Sequence, residues 1–202
     1  MTSLLIYIKH RFPWIWNAVE WINGRLFTLL YPKLAECVDE VLGECRCDKV
    51  EFSAVTSDDI AALNEFRHSQ RYEYLSYFDP HPFDAATLTR LLGNRSFAMM
   101  KITSRTDGHI VGYFFLRCFF IGKAFHGLIV DERCTNRGLG TAMWALSSRI
   151  CSKLGLRMFA TVSERNAASL TSARNATEVE VAGRLSNGYL LIECKPKTRK
   201  ND

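Results

Sequence analysis

Apolar and polar positions change period several times along this chain, and each change marks an element. From Ile15 the apolar residues Ala18, Val19, Ile22, Leu26, Leu29 and Leu30 recur at three- and four-residue steps, the spacing of one helix face. Asn17, Glu20 and Asn23 fall elsewhere on that wheel, and Pro13 suits a first helical turn. Val50 to Val55 reads as a strand. Thr56-Ser57-Asp58-Asp59 then gives a helix-start signal ahead of Ile60, Leu63 and Phe66. Arg71 to His81 mixes tyrosine with charge and has no clean period. Asp84 caps a second helix through Leu88, Leu91 and Leu92, closed by Gly93.

The period then drops to two. Ser96 to Thr103 alternates, Asp107-Gly108 turns the chain into His109 to Phe120, and Gly122-Lys123 turns it again into a strand ending at Val130. Leu139, Ala142, Met143, Leu146, Ile150 and Leu154 line one face of a helix that Gly155 closes. Leu156, Met158, Ala160 and Val162 alternate as the next strand. Asn166 opens a short helix to about Ala173, and Glu178–Ala182 with Tyr189–Cys194 make a closing hairpin around Asn187-Gly188. The order β-α-α-β-β-β-α-β-α-β-β predicts an α/β (α+β) domain with a mixed central sheet of about seven strands and flanking helices. Residues 1–47 form an N-terminal amphipathic helical extension, 48–194 the main domain, and 195–202 a basic disordered tail.

Charge changes this picture little. Much of the formal excess of +5 sits in Lys195, Lys197, Arg199 and Lys200. No stripe of Lys and Arg interleaved with aromatics occurs elsewhere, so nucleic acid is not an expected partner. The seven cysteines are odd in number and follow no regular framework, which points to free thiols in a reducing compartment, the cytoplasm. Cys37, Cys45 and Cys47 lack the further ligands that a tetrahedral site needs, so no metal is expected.

The first residues raise a separate question. Leu4, Leu5, Ile6 and Ile8 are followed, not preceded, by Lys9, His10 and Arg11, and no small-residue cleavage site is evident, so a secretory signal is not expected. No apolar run reaches the roughly twenty residues that span a bilayer. Trp14, Trp16 and Trp21 beside the apolar stripe suit a helix docked on the domain, a homodimer contact, or a peripheral membrane contact at the inner face through residues 1–31. The balance of acidic and basic residues over the first fifty positions favours the first two.

The chemistry concentrates at 126–143. Leu128, Ile129 and Val130 make a buried strand, a polar turn follows, and Gly138 and Gly140 open a helix. The first N–H groups of a helix have no partner within it, and its dipole adds positive charge there, so this turn is an anion socket. Two glycines let a phosphate approach the main chain, with Arg133 and Arg137 close by in sequence.

Asn136-Arg137-Gly138-Leu139-Gly140-Thr141-Ala142 resembles the acyl-CoA pyrophosphate loop of the GNAT (GCN5-related) N-acetyltransferases, and the match of element order covers about residues 50–194. Thr135 stands where that family usually carries Arg or Gln. Asn166-Ala167-Ala168-Ser169 resembles a second family motif, whose Asn contacts the cofactor arm. The resemblance implies a GNAT fold whose central strands, here His126–Val130 and Leu156–Ser163, splay to admit acetyl-CoA. It implies cofactor contacts from Leu128, Ile129, Val130, Arg133, Asn136, Arg137, Gly138, Leu139, Gly140, Thr141, Asn166 and Ser169, with a main-chain N–H near Ile129 or Val130 facing the thioester oxygen.

A lysine-like amine is charged at neutral pH, and stripping its proton costs roughly 4–5 kcal/mol, so transfer needs a base. His126 is the expected base. The family's usual leaving-group acid is a tyrosine at a position that is Ala173 here; Ser169, Ser172 and Tyr189 stand as substitutes. The first two helices and their connection cover the acceptor side in this family, which assigns Arg67, Arg71, Tyr72, Tyr74, Tyr77 and His81 to the substrate. Aromatic faces and arginines suit an amino sugar, nucleotide-linked. The closing segment Leu185–Glu193 and the apolar N-terminus are also similar to acetyltransferases of bacterial surface-polysaccharide pathways. A peptide or protein amine, and an acyl-CoA-binding module without turnover, remain open alternatives.

Overall fold

The computed structural model describes residues 13–197. The apolar segment at Leu4–Ile8 and the end of the expected tail, 198–202, lie outside those residues. In chain order the elements are α1 (Pro13–Leu30), α2 (Leu34–Gly43), β1 (Val50–Ala54), α3 (Ile60–His68), α4 (Tyr72–Leu75), α5 (Ala85–Leu92), β2 (Phe97–Ser104), β3 (Ile110–Phe119), β4 (Lys123–Val130), α6 (Leu139–Lys153), β5 (Arg157–Ser163), α7 (Ala167–Ala176), β6 (Thr177–Arg184) and β7 (Tyr189–Pro196).

The strands form one seven-stranded sheet in the order β1-β2-β3-β4-β5-β7-β6. Every neighbouring pair is antiparallel except β4 and β5, which run parallel. That exception shapes the molecule. β4 and β5 pair only at Lys123–Arg157, Ala124–Met158 and Phe125–Phe159, and then diverge, while β4 stays in register with β3 along its whole length. The gap therefore opens at His126 and widens toward Val130.

The sheet is covered on both faces, which is why β3 is buried almost end to end and reads as an apolar run. Alternation sends Phe114, Leu116 and Cys118 into a core shared with α2, α6 and α7, and Tyr113 and Phe115 into a second core under α3 to α5. The helix starts read from the sequence have their caps. Thr56 and Asp59 make a reciprocal box, and the Asp84 carboxylate accepts from Thr87 N–H at 2.9 Å, a cap of about 1 kcal/mol.

Three expectations change. The helix α2 was not resolved from the extension; its Leu34, Cys37, Val38, Val41 and Leu42 enter the same core as α6, so no packing boundary falls at residue 47. Lys195 and Pro196 belong to β7, and Lys195 pairs with Glu180, so the expected tail does not begin at 195. The third concerns α1. It docks through its more polar stripe: Asn23 donates to Cys118 O at 3.0 Å, Glu20 pairs with Arg117, and Phe27 is fully buried and stacks on Tyr31. The apolar stripe, Val19, Ile22, Leu26, Leu29 and Leu30, is exposed, which corrects the docked reading of that face and is compatible with the homodimer and membrane readings. Periodicity identified a face, but not whether the sheet would cover it.

Candidate active site

The widening gap between β4 and β5 leads straight to the start of α6. Asp131 N–H donates to Val111 O on the β3 side, so odd-numbered amides of β4 face β3. Alternation turns the main-chain groups of Leu128 and Val130 toward the gap. A main-chain N–H offered to the gap thus belongs to Leu128 or Val130, whereas that of Ile129 faces β3. Val130 O is already engaged by the Tyr74 hydroxyl, which donates at 2.9 Å. Burial raises the Tyr74 pKa and keeps that proton in place.

At the turn, the chain must reverse steeply to enter α6. Asn136 and Gly138 both take left-handed backbone angles, with φ of 59° and 77°. Glycine adopts this freely and asparagine tolerates it, whereas a β-branched residue does not. Asn136→Val is expected to cost about 1–2 kcal/mol of stability and Asn136→Gly to be nearly neutral, read from urea unfolding midpoints; equal midpoints for Val and wild type would remove the strain argument.

Gly138 caps α6 without a side chain, and its carbonyl accepts the first helical bond from Ala142 N–H at 2.9 Å. The N–H groups of Leu139, Gly140 and Thr141 are then the orphans of the helix start. All three residues line an open cleft of about 920 Å³ that runs from this turn up the gap to His126 and Trp144. A Cβ at Gly140 would stand 3.3 Å from Ser172 Oγ and 4.0 Å from Val130 Cγ2, so the bare glycine keeps the throat of the cleft clear.

Residues 60–171 match the model of the acetyltransferase (GNAT) family. The chain belongs to the GNAT family. No curated protein matches it by sequence. Among solved structures it is similar to the GNAT domain of the S. lividans protein PAT, at 16% identity and a TM-score of 0.62, over 71% of this chain and 89% of that one. It is similar to the ribosomal-protein-S5-alanine acetyltransferase of Vibrio fischeri, at 10% identity and a TM-score of 0.64, over 78% and 98%. It is also similar to AAC(6')-Ib in complex with Parmomycin and acetyl-CoA, at 15% identity and a TM-score of 0.59, over 77% and 100%. At these identities the neighbours speak to the fold, which is the GNAT fold with two N-terminal helices preceding its sheet.

Against this GNAT frame the nominated residues divide. Leu128, Ile129, Val130, Asn136, Gly138, Leu139, Gly140, Thr141, Asn166 and Ser169 all line the cleft. Asn166 also caps α7, its Oδ1 accepting from Ser169 N–H at 3.1 Å, which leaves its amide NH₂ for a ligand. Arg133 does not line the cleft. Its guanidinium is bidentate on Asp131, at 3.0 and 2.7 Å, and holds that carboxyl below the usual carboxylate range. Arg137 reaches the Arg133 carbonyl, at 3.4 Å, and among the described residues has no acidic partner.

His126 departs most from expectation. It lies inside β4, not at its start, and is 5% exposed, with the Trp144 ring edge-on at 4.4 Å between centroids. Neither ring nitrogen, nor Trp144 Nε1, has a hydrogen-bond partner among the described residues. Burial pushes the imidazole pKa down to about 3, against a smaller opposing contact with the Phe115 main chain. Passing a proton from an amine of pKa about 10.4 to such a group is uphill by roughly 10 kcal/mol, so His126 is withdrawn as the base. Tyr189 is withdrawn as an acid, since it begins β7 and does not line the cleft, whereas Ser169 and Ser172 do. Ala173 is buried in the core.

On the acceptor side, Arg71, Tyr74 and Tyr77 line the cleft; Arg67, Tyr72 and His81 do not. Arg71 is forked onto Glu132. Tyr72 points to solvent, 85% exposed. His81 belongs to the second core, stacked on Phe83 at 4.8 Å with Nε2 3.1 Å from the Tyr113 hydroxyl, and burial lowers its pKa. The sequence reading missed two participants. Gln70, buried, accepts from Glu132 N–H at 2.9 Å and ties the turn to α3. Glu73 lines the cleft with no side-chain partner among the described residues. The four-residue α4 and the turn after it bring Glu73, Tyr74 and Tyr77 to one wall, but a single helical turn leaves no periodic signal.

Proposed function

We propose that this GNAT enzyme binds acetyl-CoA in the β4–β5 gap and transfers the acetyl group to the primary amine of an amino sugar. The observation that carries the cofactor assignment is the continuity of one cleft from the orphan N–H groups of α6 to the apex at His126. Linked phosphates fit the socket made by Leu139, Gly140 and Thr141, and Arg137 adds charge from outside. A pantetheine arm fits alongside Leu128 and Val130 as an added strand, with the Asn166 amide beside it. Acetyl-CoA supplies the activated acyl carbon. The N–H of Leu128 or Val130 meets the carbonyl oxygen as charge develops there.

With His126 held neutral, the free carboxylate on the acceptor wall is Glu73, and we assign it the amine proton, taken through water. Ser169 and Ser172 are the hydroxyls near the departing sulfur. Tyr77, 44% exposed, offers an aromatic face to a sugar ring, and Glu73 makes this wall attractive to a cationic amine. A nucleotide-linked acceptor loses support, because a diphosphate needs free arginines and Arg71 is committed to Glu132. All seven cysteines are free, in keeping with a reducing compartment such as the cytoplasm. No helix among the described residues is long and apolar enough to cross a membrane.

The test is release of coenzyme A with a panel of acceptors: free amino sugars and aminoglycosides, nucleotide-linked amino sugars, polyamines, and peptide amines. Turnover is expected with the first group. Turnover confined to peptides would replace the amino-sugar reading with the peptide one. Binding of acetyl-CoA with no turnover on any amine would reduce the protein to a binding module.

A further inference from the structure

Among the described residues, most of the exposed large apolar side chains lie on α1 and on the β3–β4 turn tied to it. Val19, Ile22, Leu26, Leu29 and Leu30 lie along the outer face of α1, with exposures from 38% to 77%. The β3–β4 turn is tied to the same helix, Asn23 Oδ1 accepting from Phe120 N–H at 3.1 Å, and carries Phe120 and Ile121 at 40% and 60%. An exposed apolar helix face of this kind marks a contact with something else.

Charge decides what that something is. Beside the apolar face runs an open groove of about 790 Å³ between α1 and the end of α5, bordered by Arg25, Arg90 and Arg95. The acidic residue in it, Glu20, is shared by Arg90 and Arg117. Arg95 has no acidic partner among the described residues, and Arg25 sits over the Trp21 ring at 5.3 Å. Of the acidic residues that balance this region in the linear sequence, Glu40 and Glu44 of α2 pair with Lys153 and Arg149 of α6, while Asp39 lines a neighbouring cleft together with Arg95. An apolar helix face, a tryptophan at its border and an adjoining row of arginines is the pattern of a helix lying in a bilayer interface.

We propose that α1 is a docking surface for an anionic phospholipid bilayer, with Ile22, Leu26 and Leu29 entering the acyl boundary and Arg25 and Arg95 meeting the lipid phosphates. A second copy of the chain would cover the apolar face equally well, but a two-fold contact would bring the same arginine rows close together, which is unfavourable. Rigid docking through Asn23, Glu20 and Phe27 means that no part of the domain has to unfold to present this face.

Flotation of the full chain with vesicles tests it, comparing phosphatidylcholine alone with a phosphatidylcholine–phosphatidylglycerol mixture. The expected result is at least roughly tenfold stronger partitioning to the anionic vesicles, lost at high salt. Ile22→Glu with Leu26→Glu should abolish binding to both compositions, and Arg95→Glu should lower it roughly tenfold on anionic vesicles alone. These side chains are exposed, so the melting temperature and acetyl-CoA binding in solution should be unchanged. If the double variant proves misfolded, Arg95→Glu carries the test by itself. Equal partitioning to both compositions, no partitioning, or sedimentation as a dimer that Leu26→Glu dissolves, would each overturn the proposal.

Discussion

Gly140→Val is expected to lose at least a hundredfold in affinity for acetyl-CoA while keeping the wild-type melting temperature. Gly140 is the second residue of α6, and its φ is not in the left-handed region, so valine meets no backbone strain there. The nearest atom to a new Cβ is Ser172 Oγ at 3.3 Å, an atom on a short side chain that rotates away, and Val130 Cγ2 at 4.0 Å is in ordinary contact. The fold therefore has room. The cleft does not: the two methyl groups project into the throat between Val130 and Ser172 and cover the N–H that a phosphate would use. A hundredfold is about 2.7 kcal/mol, the size of one or two hydrogen bonds to a charged group. Gly138→Val is the less informative variant, because its φ of 77° makes the substitution costly to the fold itself. Calorimetric titration of acetyl-CoA with parallel thermal unfolding decides the matter. Undiminished affinity in a stable Gly140→Val protein would mean that phosphates sit elsewhere.

The parts of this site that could be read from the sequence are those built from local chemistry. Gly138 and Gly140 declare a tight helix entry, Thr56 and Asp84 declare helix starts, and Asn166 declares a cap, because each works on backbone groups within three or four residues of itself. The strands flanking the gap could be read from alternation, although the divergence itself came from family resemblance. What stayed hidden depends on contacts far apart in the chain. Tyr74 meets Val130, Gln70 meets Glu132, and Arg71 meets Glu132, each across about sixty residues, and no period connects them. The helix α1 shows a different limit. Its apolar stripe was correctly located, but a pattern gives the composition of a face and not its cover, so the inward role went to Asn23, Glu20 and Phe27. His126 shows a third. A histidine's ordinary pKa near 6.5 belongs to a solvated ring, and only the packing against Trp144 reveals that this ring has no solvent.

That burial gives the second large expectation: folding stability should fall steeply between pH 6.5 and 4, in part through His126 alone. The folded-state pKa is about 3 and the ordinary value 6.5. As pH drops through 6.5 the unfolded chain takes up this proton and the folded chain does not. The unfolded state thus binds more protons over the window from 6.5 down to 3, so stability is complete above 6.5 and is lost as pH falls. The slope approaches 1.4 kcal/mol per pH unit, or about 2–3 kcal/mol between pH 7 and 4.5. Carboxylates whose folded pKa is depressed add to the loss only at the acid end. Asp131, held down by Arg133, and Glu193, held down by Arg157, begin to contribute as pH falls through the ordinary carboxylate range near 4. The control for them is His126→Leu, which keeps those pairs and cannot titrate. It is expected to start less stable at pH 7, having lost ring contacts with Trp144 and Phe114. It should nonetheless lose about 2–3 kcal/mol less than wild type on going to pH 4.5, measured by urea unfolding at each pH. Parallel pH curves for the two proteins would show that His126 keeps its ordinary pKa in the fold, and would return it to consideration as the base.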